Sequence, residues 1–261
     1  MKTKFIVLVF LVIAVYLFSS CDSDSSTNGS TGETVADATY YPAGDGTSYK
    51  YNVDKVDSNN NQTVGNRSSR YSGTTVFGGV IYQVQIDSLT LSGLTVLDSA
   101  FFWKTETGVF FFLDTTGLSE SLPSDISITD ITFDHDMRAF IFPINEQSNW
   151  TVFKMNITVQ GFTFTPVEVA ANFTSKESLT LNLTSGDMNV EAVKIRFTLT
   201  IRLSPFSAGI NYQAFAWIAK DIGIVKWEGN GTIINAFTGG GIVFADTSST
   251  VIQTLVEYDV N

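Results

Sequence analysis

A general acid or base at neutral pH is most often a histidine, and this 261-residue chain has one, His135, set between Asp134 and Asp136. In an extended segment alternate side chains share a side, so the two aspartates would point together and the histidine away from them. That makes Asp134 and Asp136 candidate cation ligands and leaves His135 without an acidic partner for a triad. The simpler reading is a solvated turn between a strand ending at Phe133 and one beginning at Met137. A serine hydrolase would need the same histidine, and no Gly-x-Ser-x-Gly elbow occurs. Gly239-Gly240-Gly241 lies between β-type segments, not between a strand and a helix, so it does not read as a phosphate loop. With 26 acidic residues, some carboxylates will lie close together by chance, so a glycosidase-type pair has no sequence signature. No catalytic residue, resident metal or cofactor is assigned, and the expectation is a non-enzymatic protein.

Binding chemistry has better candidates. Ala100 to Trp103 and Val109 to Leu113 are apolar at every position, the second with three successive phenylalanines. A strand apolar on both faces needs cover on both faces. One reading puts these runs in the sheet interior beneath another layer. The other puts Trp103, Phe110, Phe111 or Phe112 in the wall of a ligand cavity.

The elements that would carry these residues read as β-strands. From Val193 to Leu203, Val193, Ile195, Phe197, Leu199, Ile201 and Leu203 alternate with Lys194, Arg196, Thr198, Thr200 and Arg202. A two-residue apolar period of that length predicts a strand with one face buried and one wet. Shorter copies are Tyr49-x-Tyr51-x-Val53, the stretch from Phe153 to Val159, and Leu179-x-Leu181-x-Leu183. Turn-forming clusters such as Ser58 to Asn61, Gly78-Gly79 and Ser185-Gly186-Asp187 separate them. No 3.6-residue apolar stripe follows the N-terminal run, so no helix is predicted. The fold class expected is all-β: one large antiparallel domain of about a dozen strands, curving into a barrel or half-barrel, with a β-sandwich as the alternative.

The N-terminus sets the address. Lys2 and Lys4 precede 14 apolar residues, Phe5 to Phe18, then Ser19, Ser20 and Cys21, the chain's one cysteine. The apolar run is shorter than the roughly 20 residues a spanning helix needs, so residues 1–20 read as a secretory leader. Small residues directly before Cys21 resemble a bacterial lipoprotein signal, which implies lipidation at Cys21, anchoring to a membrane of the cell envelope, and no free thiol. Asp22 resembles an inner-membrane retention signal, whereas the run Asp22-Ser23-Asp24 resembles surface-export signals; the outer membrane is the expected destination, with either face open. Residues 21–39, rich in Ser, Thr, Gly and Asp, read as a flexible tether, and residues 40–261 as one folded domain. Removing Lys2 and Lys4 with the leader leaves 13 basic against 26 acidic residues, a net charge of −13. Such a surface repels nucleic acid and anionic headgroups, and no basic cluster offsets it.

Two further segments carry a resemblance. Tyr40-Tyr41-Pro42 followed by Gly46, Tyr49 and Tyr51, and Trp217 through Gly223-Ile224-Val225-Lys226, resemble the opening and a late segment of uncharacterised bacterial lipoproteins. The resemblance implies an antiparallel β domain and no assigned activity. Taken alone, Pro42 presets an extended entry, Gly46 allows a turn, and Gly223 separates strands at Tyr212 to Lys220 and Ile224 to Glu228. These residues read as fold-specifying.

Three functional expectations follow. The first is a binding or carrier module enclosing a hydrophobic small ligand, motivated by the anchor and by 21 phenylalanines. The second is an envelope interaction or scaffolding protein, which would gather exposed aromatics such as Trp150 or Trp227 in one patch. The third is a carboxylate-based hydrolase.

Overall fold

The computed structural model describes residues 33–113, 128–133, 136–159, 161–202, 204–239 and 248–261. Thirteen strands are present among them: β1 Ser48–Val56, β2 Gln62–Phe77, β3 Val80–Leu91, β4 Leu94–Thr105, β5 Gly108–Phe112, β6 Ile128–Phe133, β7 Asp136–Ile141, β8 Asn149–Val159, β9 Phe162–Leu183, β10 Gly186–Ile201, β11 Ile210–Ala219, β12 Gly223–Asn230 and β13 Thr250–Asp259. They form one sheet in the order β6-β8-β9-β10-β11-β12-β13-β1-β2-β3-β4-β5-β7, with every neighbouring pair antiparallel. The all-β class and the alternation in β10 hold: Val193, Ile195, Phe197 and Leu199 are buried, and Leu203 lies outside the described residues.

The expected barrel closure does not hold, and a single sheet is not a sandwich. The ladder stays open between β6 and β7, its two edges. Yet these edges are consecutive in the chain, separated by residues 134 and 135. β6 runs beside β8, with Ile131 opposite Ile157, Thr132 opposite Asn156 and Phe133 opposite Met155. Continued in that register, Arg138 of β7 would fall opposite Trp150 of β8. Instead β7 pairs with β5, Phe112 opposite Asp136 and Phe110 opposite Arg138. Among the described residues, what survives of the β8 register is the bond from the Trp150 indole Nε1 to the Arg138 carbonyl at 2.9 Å. A single stretch of chain is thus bonded to one end of the sheet along its first half and to the other end along its second. A split seam remains where it crosses over.

Inside the curl, side chains from distant strands meet. Phe140 of β7 lies edge-on to Phe197 of β10 at 6.0 Å, and Tyr41 lies against Phe102 and Phe140 at 6.0 and 5.5 Å. A short helix not expected from the sequence, α1 Gly231–Phe237, inserts there, capped by the Asn230 side chain; its Phe237 packs on Phe197 and Trp227 at 4.8 and 5.4 Å. Its seven residues include a β-branched Thr-Ile-Ile run and are too few to show a helical stripe. Trp150 and Trp227 are both buried, so neither belongs to an exposed aromatic patch.

The folded body begins earlier than composition indicates. Val35 N and Ile144 N pair with Ile144 O and Ala36 O, each at 2.7 Å, Ala36 is buried, and Ala38–Tyr40 form a 3-10 turn. Residues 35–39 therefore belong to the domain and not to the tether. The two segments with a family resemblance meet in space: Tyr49 Oη donates to Pro42 O at 3.1 Å, Tyr51 Oη donates to Ile224 O at 3.0 Å, and Asp221 N donates to Thr39 O at 3.0 Å. Gly223 sits at φ +102°, and a Cβ there would lie 3.0 Å from Tyr49 Oη. The motif residues clasp the entry of the chain to the β11–β12 turn, which accounts for them structurally.

Candidate ligand cleft at the sheet seam

The seam opens a cleft of about 590 Å³. Its walls come from five strands: Trp103 of β4, Phe110 of β5, Phe133 of β6, Asp136 and Arg138 of β7, and Thr151 and Val152 of β8. The alternation of β4 and β5 builds one wall. Phe102 and Phe111 point into the core, so Phe101, Trp103, Phe110 and Phe112 lie on the opposite face. Strand register then aligns them in two cross-strand rows, Trp103–Phe110–Arg138 and Phe101–Phe112–Asp136.

In the first row the Trp103 and Phe110 rings stack at 4.3 Å and 12°, and the Arg138 guanidinium lies 5.7 Å from the Phe110 centroid. In the second, Phe112 stacks on Phe77 at 4.6 Å and 14°, and Tyr82 lies edge-on to Phe112 at 5.7 Å. The Tyr82 hydroxyl donates to Asp136 Oδ1. Burial, and then this carboxylate, push the Tyr82 hydroxyl well above its ordinary range, so it remains a donor. The β2–β3 hairpin is thereby fastened across the outer face of the β4–β5–β7 end.

Two polar groups at the cleft differ from the rest. Arg138 makes no ion pair among the described residues. Trp103 Nε1 is the one buried side-chain polar atom among them without a hydrogen-bond partner. A buried donor left unpaired costs on the order of 1–3 kcal/mol, and native folds leave few such groups without a reason.

The residues singled out from the sequence separate cleanly. Trp103 and Phe110 line the cleft together, Phe112 stands one row away in the Phe77 and Tyr82 cluster, and Phe111 is core. Asp136 lines the cleft, while Asp134, His135 and Cys21 lie outside the described residues. No group of three or more His, Cys, Asp or Glu suited to a metal occurs among the described residues. Voids among the described core residues beside α1 and around Tyr41, Tyr51 and Arg67 are about 10 to 20 Å³. Phe197, Trp227 and Phe237 of α1 pack against one another there.

Sequence reasoning missed a second polar cluster, this one inside the curl. Arg67 Nε donates to Asp87 Oδ1 at 2.8 Å, Arg67 Nη1 to Gln253 Oε1 at 3.1 Å, and Gln85 Nε2 to Asp87 Oδ2 at 2.6 Å. The guanidinium lies 5.2 Å from the Tyr51 ring centroid. Burial pushes the Asp87 carboxyl up against the pull of Arg67, while Asp87 keeps the guanidinium charged against its own burial. The sequence signal was available: Arg67, Ser69 and Tyr71 share one phase of β2, and Gln85 and Asp87 one phase of β3, polar residues where alternation calls for apolar ones.

No protein-family model matches this chain, and no curated protein matches it. Solved structures similar to it include a candidate exported protein of Bacteroides fragilis with a YmcC-like fold, at 12% identity and a TM-score of 0.44, over 84% of this chain and 98% of that one. A candidate lipoprotein of Parabacteroides distasonis aligns at 14% identity and a TM-score of 0.41, over 84% and 98%. The hypothetical lipoprotein YmcC of Escherichia coli aligns at 12% identity and a TM-score of 0.32, over 81% and 84%.

Proposed function

We propose that this chain is an exported, lipid-anchored binding protein of the cell envelope, without catalytic activity, that holds a small ligand in the seam cleft. The leader and Cys21 support the anchor. One observation carries the binding site: a cleft of about 590 Å³ whose lining includes an indole with a buried, unpartnered N–H. That volume falls within the roughly 300–1,000 Å³ of small-molecule sites, and its lining joins aromatic surface to a few polar groups in the manner such sites require. The lining holds one carboxylate among its described residues, Asp136, which gives no support to two-carboxylate hydrolysis.

Native mass spectrometry of the full-length protein from its host's envelope tests the reading. A stoichiometric bound molecule, lost in Phe110→Ala, is the expected result. A bare mass in the wild type would move the function to protein–protein interaction, for which exposed Leu94, Val96 and Leu97 on the β3–β4 hairpin are the favoured surface. Metabolic labelling with palmitate, abolished by Cys21→Ser, is the corresponding test of the anchor.

A further inference from the structure

We propose that the seam cleft takes an anionic amphiphile, a carboxylate or phosphate head on an apolar chain, with the head on Arg138 and the chain along Phe110 and Phe133. The proposal rests on the cleft being the binding site.

Charge is the first ground. Arg138 presents a guanidinium at the cleft whose one described partner is the face of Phe110, so its hydrogen-bonding edge makes no ion pair there. The cleft's own carboxylate does not fill that role: Asp136 is held by the Tyr82 hydroxyl and makes no ion pair with Arg138. The Arg138 guanidinium lies 5.7 Å from the Phe110 centroid and is exposed, and its planar fork of donors suits carboxylate and phosphate.

The second ground is the surroundings. The half-buried Phe110 and Phe133 line the cleft with apolar surface that a small hydrated anion would leave unused. The protein as a whole is strongly acidic, so a bare anion meets long-range repulsion. An anion with a chain overcomes this, because each buried methylene strengthens binding by about fourfold. A cationic amphiphile would gain the long-range attraction and then have to sit beside an unpaired guanidinium.

Isothermal titration of the unlipidated Cys21→Ser chain, which keeps every described residue, tests this with decanoate, decyl phosphate, 1-decanol, decylammonium, acetate and inorganic phosphate. Decanoate or decyl phosphate should bind at least about tenfold tighter than decanol, with decylammonium weaker still and the chainless anions silent. The tighter of the two acids identifies the head. Arg138→Gln should bring decanoate and decyl phosphate down to decanol without changing decanol itself, and Arg138→Lys should recover part of the difference. Decanol equal to the acids in the wild type overturns the anionic head while the cleft stands as a binding site. Decylammonium binding tightest overturns it in favour of recognition by Asp136. Binding by none of the chain compounds overturns both the head and the cleft.

Discussion

Two arginines in this molecule lie against aromatic rings at nearly the same distance, Arg67 at 5.2 Å from Tyr51 and Arg138 at 5.7 Å from Phe110. Arg67 is 5% exposed and bonded to a carboxylate and an amide, with a second amide donating to the same carboxylate. Arg138 is exposed and has no counter-ion among the described residues. The tryptophans repeat the contrast. Trp217 is flanked by Lys194 and Lys226 at 4.7 and 4.6 Å and donates its N–H to Glu177 at 2.7 Å, whereas Trp103 has a stacked ring and no acceptor. The same residue types build a closed network in one region and leave open valences in another. Satisfied groups stabilise a fold, and unsatisfied ones at a cleft are free to bind something else.

That contrast can be broken most sharply at Arg67. Arg67→Met strands the Asp87 carboxylate in the core and should cost about 3–5 kcal/mol in urea unfolding, and replacing both partners with apolar residues should return most of it. Next comes the seam: Trp150→Phe removes the bond to the Arg138 carbonyl and should cost about 1–2 kcal/mol by the same assay, with no ladder bond lost. A smaller effect belongs to Glu177, whose carboxyl is held below its ordinary value chiefly by the Trp217 N–H. A depressed folded value means a contribution fully present above about pH 4.5 and lost as pH falls through the folded value, so Glu177→Gln should flatten the acid limb of a stability–pH curve. The side chain is about a third exposed, which holds the effect below roughly 1 kcal/mol. Smallest of all, Arg138→Gln should shift stability by no more than about 0.5 kcal/mol while altering ligand binding, the reverse of Arg67.

Much of the architecture was legible because the period of a half-buried strand is local. β10, β11 and β12 follow directly from alternation and from Gly223. Closure was not legible, since which strand an edge meets depends on partners far away in sequence. The Asp134-His135-Asp136 interruption illustrates the limit. It reads as a turn between strands ending at Phe133 and beginning at Met137; β6 ends at Phe133 and β7 opens one residue earlier, at Asp136, but nothing local reveals that β7 pairs with β5 and not with β8. Of the three phenylalanines, alternation alone could separate Phe111 from its neighbours, but only register puts Phe110 beside Arg138 and Phe112 beside Asp136. The Arg67 cluster was hidden for the opposite reason. Charged residues on a core-phase position look like surface until the partner strands bring them together.

The Trp150 link has a mechanical consequence. A closed barrel can widen only by parting a row of backbone hydrogen bonds, whereas here, among the described residues, an indole bond from Trp150 joins the margins of the sheet that face each other at the cleft. Because β6 and β7 are one stretch of chain, the margins cannot drift apart along their whole length either. In shape the sheet is a cuff with a single clasp: among the described residues, parting it there breaks one side-chain bond and leaves all twelve antiparallel strand pairings intact.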